Sequence, residues 1–546
     1  MTRSRASVAF GVGGAGVVLI LLVLFRLVSP GRVREASTHS LLDTESFRHY
    51  FVQFADDEKA MLGKSDPLPW NWFVQNIPWL DVPDKELEEI YYFRWYSFQK
   101  HVKQTPSGFV IDEFLDDVPW AGKRNTISAA AGHHIREARW LRNHQYVEQY
   151  TNFWFGPEGE PRRYSFWAAD SAYSLFLATG NKQFAIKLLP SLRENYAQWE
   201  RTHQDPNGLY WQIDDRDGME FSIGGSGYRP TINSYMYGDA EAIAQIAEMA
   251  GQSDVAAEYK AKADRLRQLI ETQLWNTDDN FYETVLRGGQ GSGVRELIGY
   301  VPWYFEVPSA SHAVAWKQLF DPQGFAGTFG PTTAERRSPR FNFSYSHECL
   351  WNGPSWPFAT TQTLVALANL LDEKDVPPVV SATDYFRLLN AYTRSQHIRT
   401  SDGKQIPWID ENLNPDSGEW IARNILISRR QPPPNRGRYY NHSGYADLII
   451  TGLLGLRPSA TNDLVIRPLV PPGTWDYFAL DGLPYHGHLL AIIYDRKGEH
   501  YHRGAGLTIL SDGSVIGHSD SLTATTVVLS DSHEDERANT LRQRSH

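Results

Sequence analysis

The 546-residue chain has a single cysteine, Cys349, so it can form no disulfide within itself. Disulfide bridges therefore give no indication of its redox compartment. Basic residues are also too few for a nucleic-acid partner: 53 Lys and Arg stand against 64 Asp and Glu, and the net charge is −11. Nucleic-acid binding depends on a basic surface that displaces counterions from phosphates. The charge balance argues against DNA or RNA as a partner.

The N-terminal 30 residues contain a continuous apolar run from Val8 to Phe25, with arginines on both sides. At about 1.5 Å per residue this run spans roughly 27 Å, close to the thickness of a bilayer core. The sequence that follows, "RLVSPGRVREAS", lacks the small-residue pattern of a signal cleavage site. The pattern favours an uncleaved membrane anchor over a cleaved signal. Either would place the body on the extracytoplasmic or lumenal side, membrane-anchored or secreted.

Sequence repeats of fixed period are absent, which disfavours a regular solenoid. Residues 31–75 are predicted to be a stalk and lead-in, and residues 76–455 are mostly helical in pattern. Tyr259, Ala263, Leu266 and Ile270 recur at helical spacing, and the preceding stripe ends at Gly251, which indicates a helical hairpin. Paired helices separated by long Trp/Gly/Pro-rich loops favour an (α/α)6 toroid over a simple bundle. Further helices are predicted over about 125–149, 166–179, 183–202, 309–319, 358–372, 379–396 and 442–454.

The pattern changes near Leu456. Short β-rich runs such as "LVIRPLVP" and "HLLAIIYD", broken by turn residues, predict a small β-sandwich-like domain over residues 456–530. Residues 531–546 are charged and nearly lack apolar side chains, which is typical of a disordered tail.

Aromatic residues are abundant, with 18 Trp and 27 Tyr. Most of these rings are expected in the core, but indole and phenol rings also stack on sugar faces. The composition thus favours a carbohydrate ligand. Two sequons, at Asn342 and Asn441, permit N-glycosylation.

Hydrolysis of a glycosidic bond needs two carboxyl groups that face each other across the bond, one of them protonated. One candidate stretch carries Asp217 and Glu220 beside aromatic residues, which would desolvate a carboxyl group and raise its pKa. A second stretch, "IPWIDENLNPDSGEW", carries Asp410 and Glu411 between two tryptophans. Taken alone, each stretch also fits a solvated turn, because Asp, Gly and Pro form turns readily.

A third stretch, "HECLWNGPSWPFATTQT", places Trp351 and Trp356 in a proline-fixed loop before a helix. A rigid loop with two indoles suits the binding of a sugar ring. A buried aromatic corner fits the same residues.

These three stretches together carry a family resemblance. "WNGPSWP" resembles the W-x-G-P-x-W-P motif of clan G glycosidases, which include trehalases, processing α-glucosidases and mannosylglycerate hydrolases. "DGMEFS" is similar to that family's general-acid stretch, and "ENLNPDSGE" to its general-base stretch. All three occur in the family's order. The resemblance covers roughly residues 76–455 and implies an (α/α)6 barrel with inverting chemistry on an α-linked glucoside or mannoside.

Carried over position by position, the resemblance implies that Glu220 is the general acid and Glu411 the general base. The acid position departs from the family pattern, which has Asp where this chain has Glu220. Asp217 is the alternative acid, and it stands where the family has Ser. Leu413 replaces the family's Tyr in the base motif. No metal or organic cofactor is needed for this chemistry.

Other residues are expected to shape the sugar site. "YSFWAADSAYS" resembles the family's W-D-S region, and "GYRPTIN" and "RYYNHSGYADL" place cations at loop-to-helix junctions. For the histidine in the latter stretch, a purely structural hydrogen bond is an equal alternative. The predicted substrate-binding residues are Asp170, Trp167, Arg229, Trp351, Trp356, Trp408, His442 and Arg438.

Two other functions remain open from the sequence. One is a non-catalytic carbohydrate-binding protein on the same barrel, which the Glu in place of Asp at the acid position favours. The other is a polysaccharide lyase, for which Tyr439, His442 and Arg438 would supply the Tyr/His/Arg group. The expected partner in each case is an oligosaccharide or small glycoside, and the oligomeric state stays open.

Overall fold

The computed structural model describes residues 41–342, 347–373, 378–430 and 436–530. The predicted anchor or signal (1–30), the start of the predicted stalk and the predicted tail (531–546) lie outside the described residues. Within the described ranges, no helix combines the length and the apolar character needed to cross a membrane.

Helices dominate the described chain and a smaller set of strands follows them. The α-helices are α1 (Arg48–Leu62), α2 (Trp70–Asn76), α3 (Lys85–His101), α4 (Ala131–Ala138), α5 (Gln145–Phe153), α6 (Ala168–Thr179), α7 (Lys182–His203), α8 (Pro230–Met249), α9 (Ser253–Leu269), α10 (Val301–Tyr304), α11 (Pro357–Asp372), α12 (Ala382–Ser395) and α13 (Ile421–Ser428).

Local sequence accounts for several helix boundaries. Asp84 caps α3 by accepting a hydrogen bond from the Leu87 amide, and Asn181 caps α7 in the same way. α8 and α9 pack against each other and are joined by a turn in which Gly251 has a φ of 71°. The predicted helical hairpin is therefore present.

Some predicted helices differ in extent. The stretch predicted over 125–149 is two helices, α4 and α5, because Asn143 accepts a hydrogen bond from the Gln145 amide and so starts a new helix. The stretch near 309–319 is a 3₁₀ helix, Ala310–Gln318, and the one near 442–454 contains a π-helix, Leu448–Leu453.

The predicted stalk is wrong over residues 44–62. These residues form a 3₁₀ turn, Thr44–Phe47, and helix α1. One face of this segment carries Phe47, Tyr50, Phe51 and Phe54, all of which are buried in the main core. Burial of four aromatic side chains holds the segment against the body.

The strands form one larger sheet and several small ones. They are β1 (Trp79–Asp81), β2 (Val102–Thr105), β3 (Gly108–Ile111), β4 (Trp275–Asn276), β5 (Phe281–Tyr282), β6 (His397–Arg399), β7 (Gln405–Pro407), β8 (Leu456–Arg457), β9 (Asp463–Ile466), β10 (Tyr477–Tyr485), β11 (His488–Asp495), β12 (Gly506–Ser511), β13 (Ser514–Ser519) and β14 (Thr525–Val528).

The larger sheet has the strand order β1-β10-β11-β12-β13, and all its neighbouring strands are antiparallel. A second C-terminal sheet has the order β14-β9-β8. The sheet region was expected within residues 456–530, but β1 comes from residue 79 onwards, and Asp481 of β10 accepts hydrogen bonds from the amides of Leu41 and Leu42. The C-terminal sheet thus includes a strand from the start of the described chain.

Candidate active site

The loops that carry the three sequence motifs line a single cavity of about 420 Å³. Its wall also includes residues just before α4 and residues near position 440. The side chains that bear on chemistry are Glu113, Trp120, Tyr164, Asp215, Arg216, Asp217, Glu220, His347, Glu348, Cys349, Trp351, Trp356, Glu411, Arg436, Tyr440 and His442.

The loop before α8 positions Glu220. A 3₁₀ turn over Asp214–Asp217 ends at Gly218, whose φ of 73° suits glycine. The Trp351 amide then donates a hydrogen bond to the carbonyl of Glu220 at 3.0 Å, which ties this loop to the tryptophan loop. The next residue, Phe221, has a φ of 62° and an exposed ring. A non-glycine residue in this region of backbone space is uncommon and marks a constrained turn.

Glu220 is half-buried and has no cationic partner within ion-pair distance among the described residues. The thiol of Cys349 donates a hydrogen bond to its Oε2 at 2.8 Å. Burial raises the pKa of Glu220, the thiol contact opposes that rise, and the nearby Asp215 and Glu411 carboxylates add to it. A carboxyl group in this setting favours its protonated form, which a proton donor requires.

Glu411 has a different environment. It is buried, and the guanidinium of Arg436 donates to its Oε1 at 2.8 and 3.3 Å. Burial raises the pKa of Glu411 and the Glu348 carboxylate adds to the rise, whereas Arg436 opposes it without reversing it. Both contacts from Arg436 fall on Oε1, and no described side chain donates a hydrogen bond to Oε2. The cation favours the ionised carboxylate and leaves one oxygen for another partner.

The base-motif loop is also held against the tryptophan loop. Ser355 and Leu413 exchange two main-chain hydrogen bonds, at 2.9 and 3.0 Å. Trp351 and Trp356 stack with their ring centroids 4.5 Å apart and an interplanar angle of 17°. Trp356 donates its ring N–H to the Leu350 carbonyl, which fixes the pair. The motif region is thus both a buried aromatic corner and part of the cavity wall.

Asp217 has a structural environment. Its carboxylate is fully buried and accepts hydrogen bonds from Arg229 Nε at 2.6 Å, from Ser165 and from Thr231. The expectation that it is an alternative acid is not favoured, because its oxygens are already paired and a cation holds it. The expectation that Arg229 contacts a sugar fails for the same reason: its guanidinium is buried and bonded to Asp217 and Ser222.

Trp167 and Asp170, which were also predicted to contact the sugar, do not line the cavity. Trp167 is fully buried and packs against His133, Tyr235 and Phe358. Asp170 pairs with Arg136 at 2.9 Å. Neither residue lines the cavity: Trp167, just before α6, is in the packed interior, and Asp170, in the first turn of α6, is only partly buried.

Trp408 and Arg438 also lie away from the cavity. Trp408 contacts Tyr439 in a separate small cavity, and Arg438 lies 4.0 Å from Asp116. Of the three residues suggested for a lyase, only His442 lines the candidate site. Tyr439 has a φ of 57° and packs against Phe93 and Tyr96.

One of the two sequons is unsuited to glycosylation. Asn441 is buried, and its side-chain amide donates to the main-chain oxygen of Asp112 at 3.1 Å. A glycan on this amide would require the segment to unfold. The second sequon includes Ser344, which lies outside the described residues.

Several cavity residues were not predicted from the sequence. Arg436 and Cys349 contact the two candidate carboxyls, and Glu113 and Tyr440 form a hydrogen-bonded pair on the wall. The acidic run "DEFLDD" around Glu113 was a visible signal. No spacing rule connects it to the distant motifs, since tertiary packing brings them together.

Known proteins with related sequences agree with the motif resemblance. Residues 123–443 match the family model described as the mannosylglycerate hydrolase MGH1-like glycoside hydrolase domain. Residues 456–517 match the C-terminal domain of glycosyl hydrolase family 65. An uncharacterized protein of Borreliella burgdorferi is 27% identical over 138 residues, which is 25% of this chain and 29% of that protein.

Two solved structures show the extent of the likeness. A protein named sialidase is 41% identical, with a TM-score of 0.83 over 89% of this chain and 45% of its own. The GH63 mannosylglycerate hydrolase of Thermus thermophilus, in complex with Tris and D-glycerate, is 12% identical, with a TM-score of 0.50 over 66% of this chain and 100% of its own. The chain spans less than half the length of the sialidase and of the Borreliella protein. The first family match covers more than half of the chain and includes all three motifs, and the chain therefore belongs to the mannosylglycerate hydrolase MGH1-like glycoside hydrolases of the six-hairpin glycosidase clan.

Proposed function

We propose that this protein is an inverting glycoside hydrolase that cleaves an α-linked glucoside or mannoside. Glu220 protonates the leaving oxygen, and Glu411 deprotonates a water molecule on the opposite face of the sugar. The observation that carries this proposal is that the two carboxyl groups come from separate loops, line one cavity and have different surroundings. An inverting mechanism needs such a pair, with room for water between its members.

The surroundings favour this division of roles. Glu220 has a thiol donor and no cationic partner among the described residues, which suits a carboxyl that must hold a proton. Glu411 has Arg436 on one oxygen, which suits a carboxylate that must accept one. Burial raises the pKa of both carboxyls, but the guanidinium beside Glu411 opposes that rise, and such a difference in surroundings suits one acid and one base.

The fold we infer is the (α/α)6 toroid of this clan, with a β-sandwich-like C-terminal region. Helix pairs such as α8 and α9, with the motif loops collected at one cavity, support it. The similar fold of the mannosylglycerate hydrolase supports it as well.

The family description and the name of that hydrolase support a mannoside as the substrate class, and the motif resemblance adds the α-linkage and the glucoside alternative. The name of the sialidase suggests a different sugar, one that carries a carboxylate. Both arginines of the cavity wall already have carboxylate neighbours, since Arg436 pairs with Glu411 and Arg216 lies 3.8 Å from Asp215, which disfavours the binding of an anionic sugar ring. We therefore expect neutral α-glycosides to be cleaved and sialosides not to be.

The test is a screen of p-nitrophenyl α- and β-glycosides, a sialoside and disaccharides with wild type, Glu220→Gln and Glu411→Gln. Each substitution is expected to lower kcat by about 10²- to 10⁴-fold, because each removes one proton transfer. Asp416→Asn is a matched control: it lies in the base-motif loop, is exposed and pairs with Arg336. NMR of the first-formed anomer checks inversion. Activity that survives both Glu substitutions would refute the assignment.

A non-catalytic sugar-binding protein is the second candidate function. The ion pair of Glu411 with Arg436 favours it, because an arginine can also hold a carboxylate in a purely structural role. The observation that would establish it is sugar binding by wild type, measured by calorimetry, without hydrolysis of any substrate in the screen.

The proposed cellular location of the protein follows from the apolar N-terminal run of the sequence. We propose that the body is extracytoplasmic or lumenal, either anchored through residues 8–25 or secreted. Alkaline extraction of membranes from cells that express the full chain separates the two: an anchored protein stays in the pellet and a secreted one does not.

A further inference from the structure

Glu113 is a further carboxyl group in the candidate site, and it comes from a segment that precedes the family domain. The matched domain begins at residue 123. Glu113 follows strand β3 and is fixed there by Asn441, whose amide donates to the Glu113 carbonyl at 3.1 Å. The Asn441 side chain donates to the neighbouring Asp112 carbonyl, also at 3.1 Å. These contacts fix the backbone that carries the Glu113 side chain.

The two oxygens of Glu113 differ. The residue is 5% exposed and lines the cavity. Oε1 accepts a hydrogen bond from the Tyr440 hydroxyl at 2.5 Å. Oε2 is buried and has no hydrogen-bond partner among the described residues. Buried polar atoms are nearly always paired, so an unpaired one in a cavity wall indicates a ligand or water partner.

Other unpaired polar atoms belong to the same wall. The ring N–H of Trp351 has no acceptor within the described chain. The His442 ring lies near the main chain of Glu411 and Tyr440, but neither of its nitrogens makes a hydrogen bond of good geometry there. Three buried residues of one cavity thus offer unused donors or acceptors, a pattern suited to a ligand with several hydroxyl groups.

We propose that Glu113 is a specificity-determining residue, which uses Oε2 to bind one hydroxyl group of the sugar in this cavity. The proposal rests on the proposed glycosidase function, because it places that sugar between Glu220 and Glu411. It assigns Glu113 no proton transfer in the reaction.

The protonation state of Glu113 agrees with this role. Burial raises the pKa of Glu113 to about 8, and the nearby Glu411 and Glu220 carboxylates add to the rise. The carboxyl group is therefore neutral at pH 7. Because Oε1 already accepts from Tyr440, the proton resides on Oε2, and Oε2 is the atom that donates to the sugar. A neutral group also avoids adding a negative charge near the Glu411 carboxylate.

The first test is kinetic. Glu113→Ala is expected to raise KM by about 10-fold for the p-nitrophenyl α-glucoside or α-mannoside that wild type cleaves, because one hydrogen bond to the substrate is lost. Its kcat should change by less than about 3-fold, since the reacting atoms keep their partners. Glu113→Gln keeps a neutral donor of the same shape and should restore KM to near the wild-type value.

A control separates sugar binding from local structure. Tyr440→Phe removes the hydrogen bond to Oε1 and leaves Oε2 in place. Its KM should rise less than that of Glu113→Ala. A KM increase as large in Tyr440→Phe as in Glu113→Ala, or no rescue by Glu113→Gln, would overturn the proposal in favour of a structural role.

Monodeoxy substrates identify the hydroxyl. For one deoxy position, Glu113→Ala and wild type should have the same KM, because the contact is already missing from the substrate. For the other positions the difference of about 10-fold should remain. An equal effect of the substitution on every deoxy substrate would overturn the assignment of a single hydroxyl contact.

Binding measurements distinguish this proposal from the proposed function. Three tryptophans line the cavity, so intrinsic fluorescence can report binding of glucose and mannose. Weakened binding in Glu113→Ala and recovery in Glu113→Gln, without hydrolysis by wild type, would support the contact and refute the glycosidase. Hydrolysis by wild type with no effect of Glu113→Ala on KM would support the glycosidase and refute the Glu113 contact. No binding and no hydrolysis by wild type would overturn both.

Discussion

At the scale of single residues, the two candidate catalytic carboxyls differ in the side chain that contacts each of them. Glu220 and Glu411 are both removed from water, and burial raises the pKa of each. A thiol contacts one and a guanidinium the other. Substitutions of these neighbours should therefore move the limbs of the pH profile separately.

Cys349→Ala tests the neighbour of the acid. The thiol hydrogen bond lowers the pKa of Glu220, so its removal raises that pKa further. The general acid works only while protonated, and the basic limb of kcat/KM against pH follows its pKa. The basic limb should therefore move to higher pH. Cys349→Ser keeps a donor and should leave the limb near its wild-type position. A basic limb that stays fixed in Cys349→Ala, or moves to lower pH, would contradict this prediction.

Glu113→Gln should change how stability depends on pH. Burial raises the pKa of Glu113 to about 8 from an unfolded value near 4.5, so the folded state holds a proton that the unfolded state has lost over this range. The stability that this group contributes is complete below about pH 4.5 and is lost as pH rises through about 8. Glu113→Gln cannot ionise, so its free energy of unfolding should fall less than that of wild type between about pH 5 and 8.

Urea denaturation at several pH values measures this difference. Glu283 is a matched comparison, because burial also raises its pKa to about 8 at a site away from the cavity. Glu283→Gln should reduce the pH slope in the same direction while leaving sugar binding unchanged. Equal slopes for wild type and Glu113→Gln would show that Glu113 is ionised in the folded protein.

At the scale of elements, the loop before α8 is built around one buried ion pair. Asp217 and Arg229 are both inaccessible to solvent, and Ser165 and Thr231 complete the shell of the carboxylate. This pair fixes the turn that presents Glu220 to the cavity. It explains why a stretch rich in charge and glycine is ordered, although its composition alone also fitted a solvated turn.

Asp217→Asn should destabilise the protein by about 3–5 kcal/mol, because it leaves the Arg229 guanidinium buried without an anion. Denaturant unfolding measures the effect. Ser226→Ala is the control: Ser226 lies in the same loop, and its hydroxyl donates to the Asp214 carboxylate and accepts from the Asp214 amide, both at the exposed surface, so its effect should be within about 0.5 kcal/mol. A loss below about 1 kcal/mol for Asp217→Asn would show that the ion pair does not hold the loop.

The sequence identified the site residues that lie in short local motifs, but not those whose position depends on distant contacts. The carboxyls Glu220 and Glu411 and the tryptophan pair could be selected because each motif is short and local. Arg229 was predicted as a cation at a loop-to-helix junction and Asp170 from the resemblance to the W-D-S region, yet each is already paired with a charged side chain of the protein. Glu113 was missed because its place in the cavity depends on contacts with Asn441 and Tyr440, more than 300 positions away.

At the scale of the whole molecule, the helical region and the C-terminal sheet are not separable along the sequence. The helical pattern and the change to strands near Leu456 were both readable from the sequence. The membership of β1 in the C-terminal sheet was not, because a three-residue strand has no periodicity to detect. Its partner strand lies about 400 positions later in the chain.

Leu80→Ala tests this connection. Leu80 is fully buried in β1 opposite Leu480 of β10, so truncation should lower the free energy of unfolding by about 2–5 kcal/mol. Val515→Ala on the exposed face of β13 should cost less than about 0.5 kcal/mol. Thermal or urea unfolding gives both values. A cost for Leu80→Ala as small as that of Val515→Ala would indicate that β1 is dispensable.

The pairing of β1 with β10 also sets a delay during biosynthesis. Asp481 of β10 also accepts a hydrogen bond from the Leu41 amide, and this acceptor is synthesised 440 positions after Leu41. At about 5–20 residues per second, the ribosome needs roughly 20–90 s to supply that partner. Until β10 is made, the nascent chain carries β1 without its neighbour in the sheet. Chaperone demand should therefore be greatest before the C-terminal strands are made, and release of the finished chain allows the sheet to close.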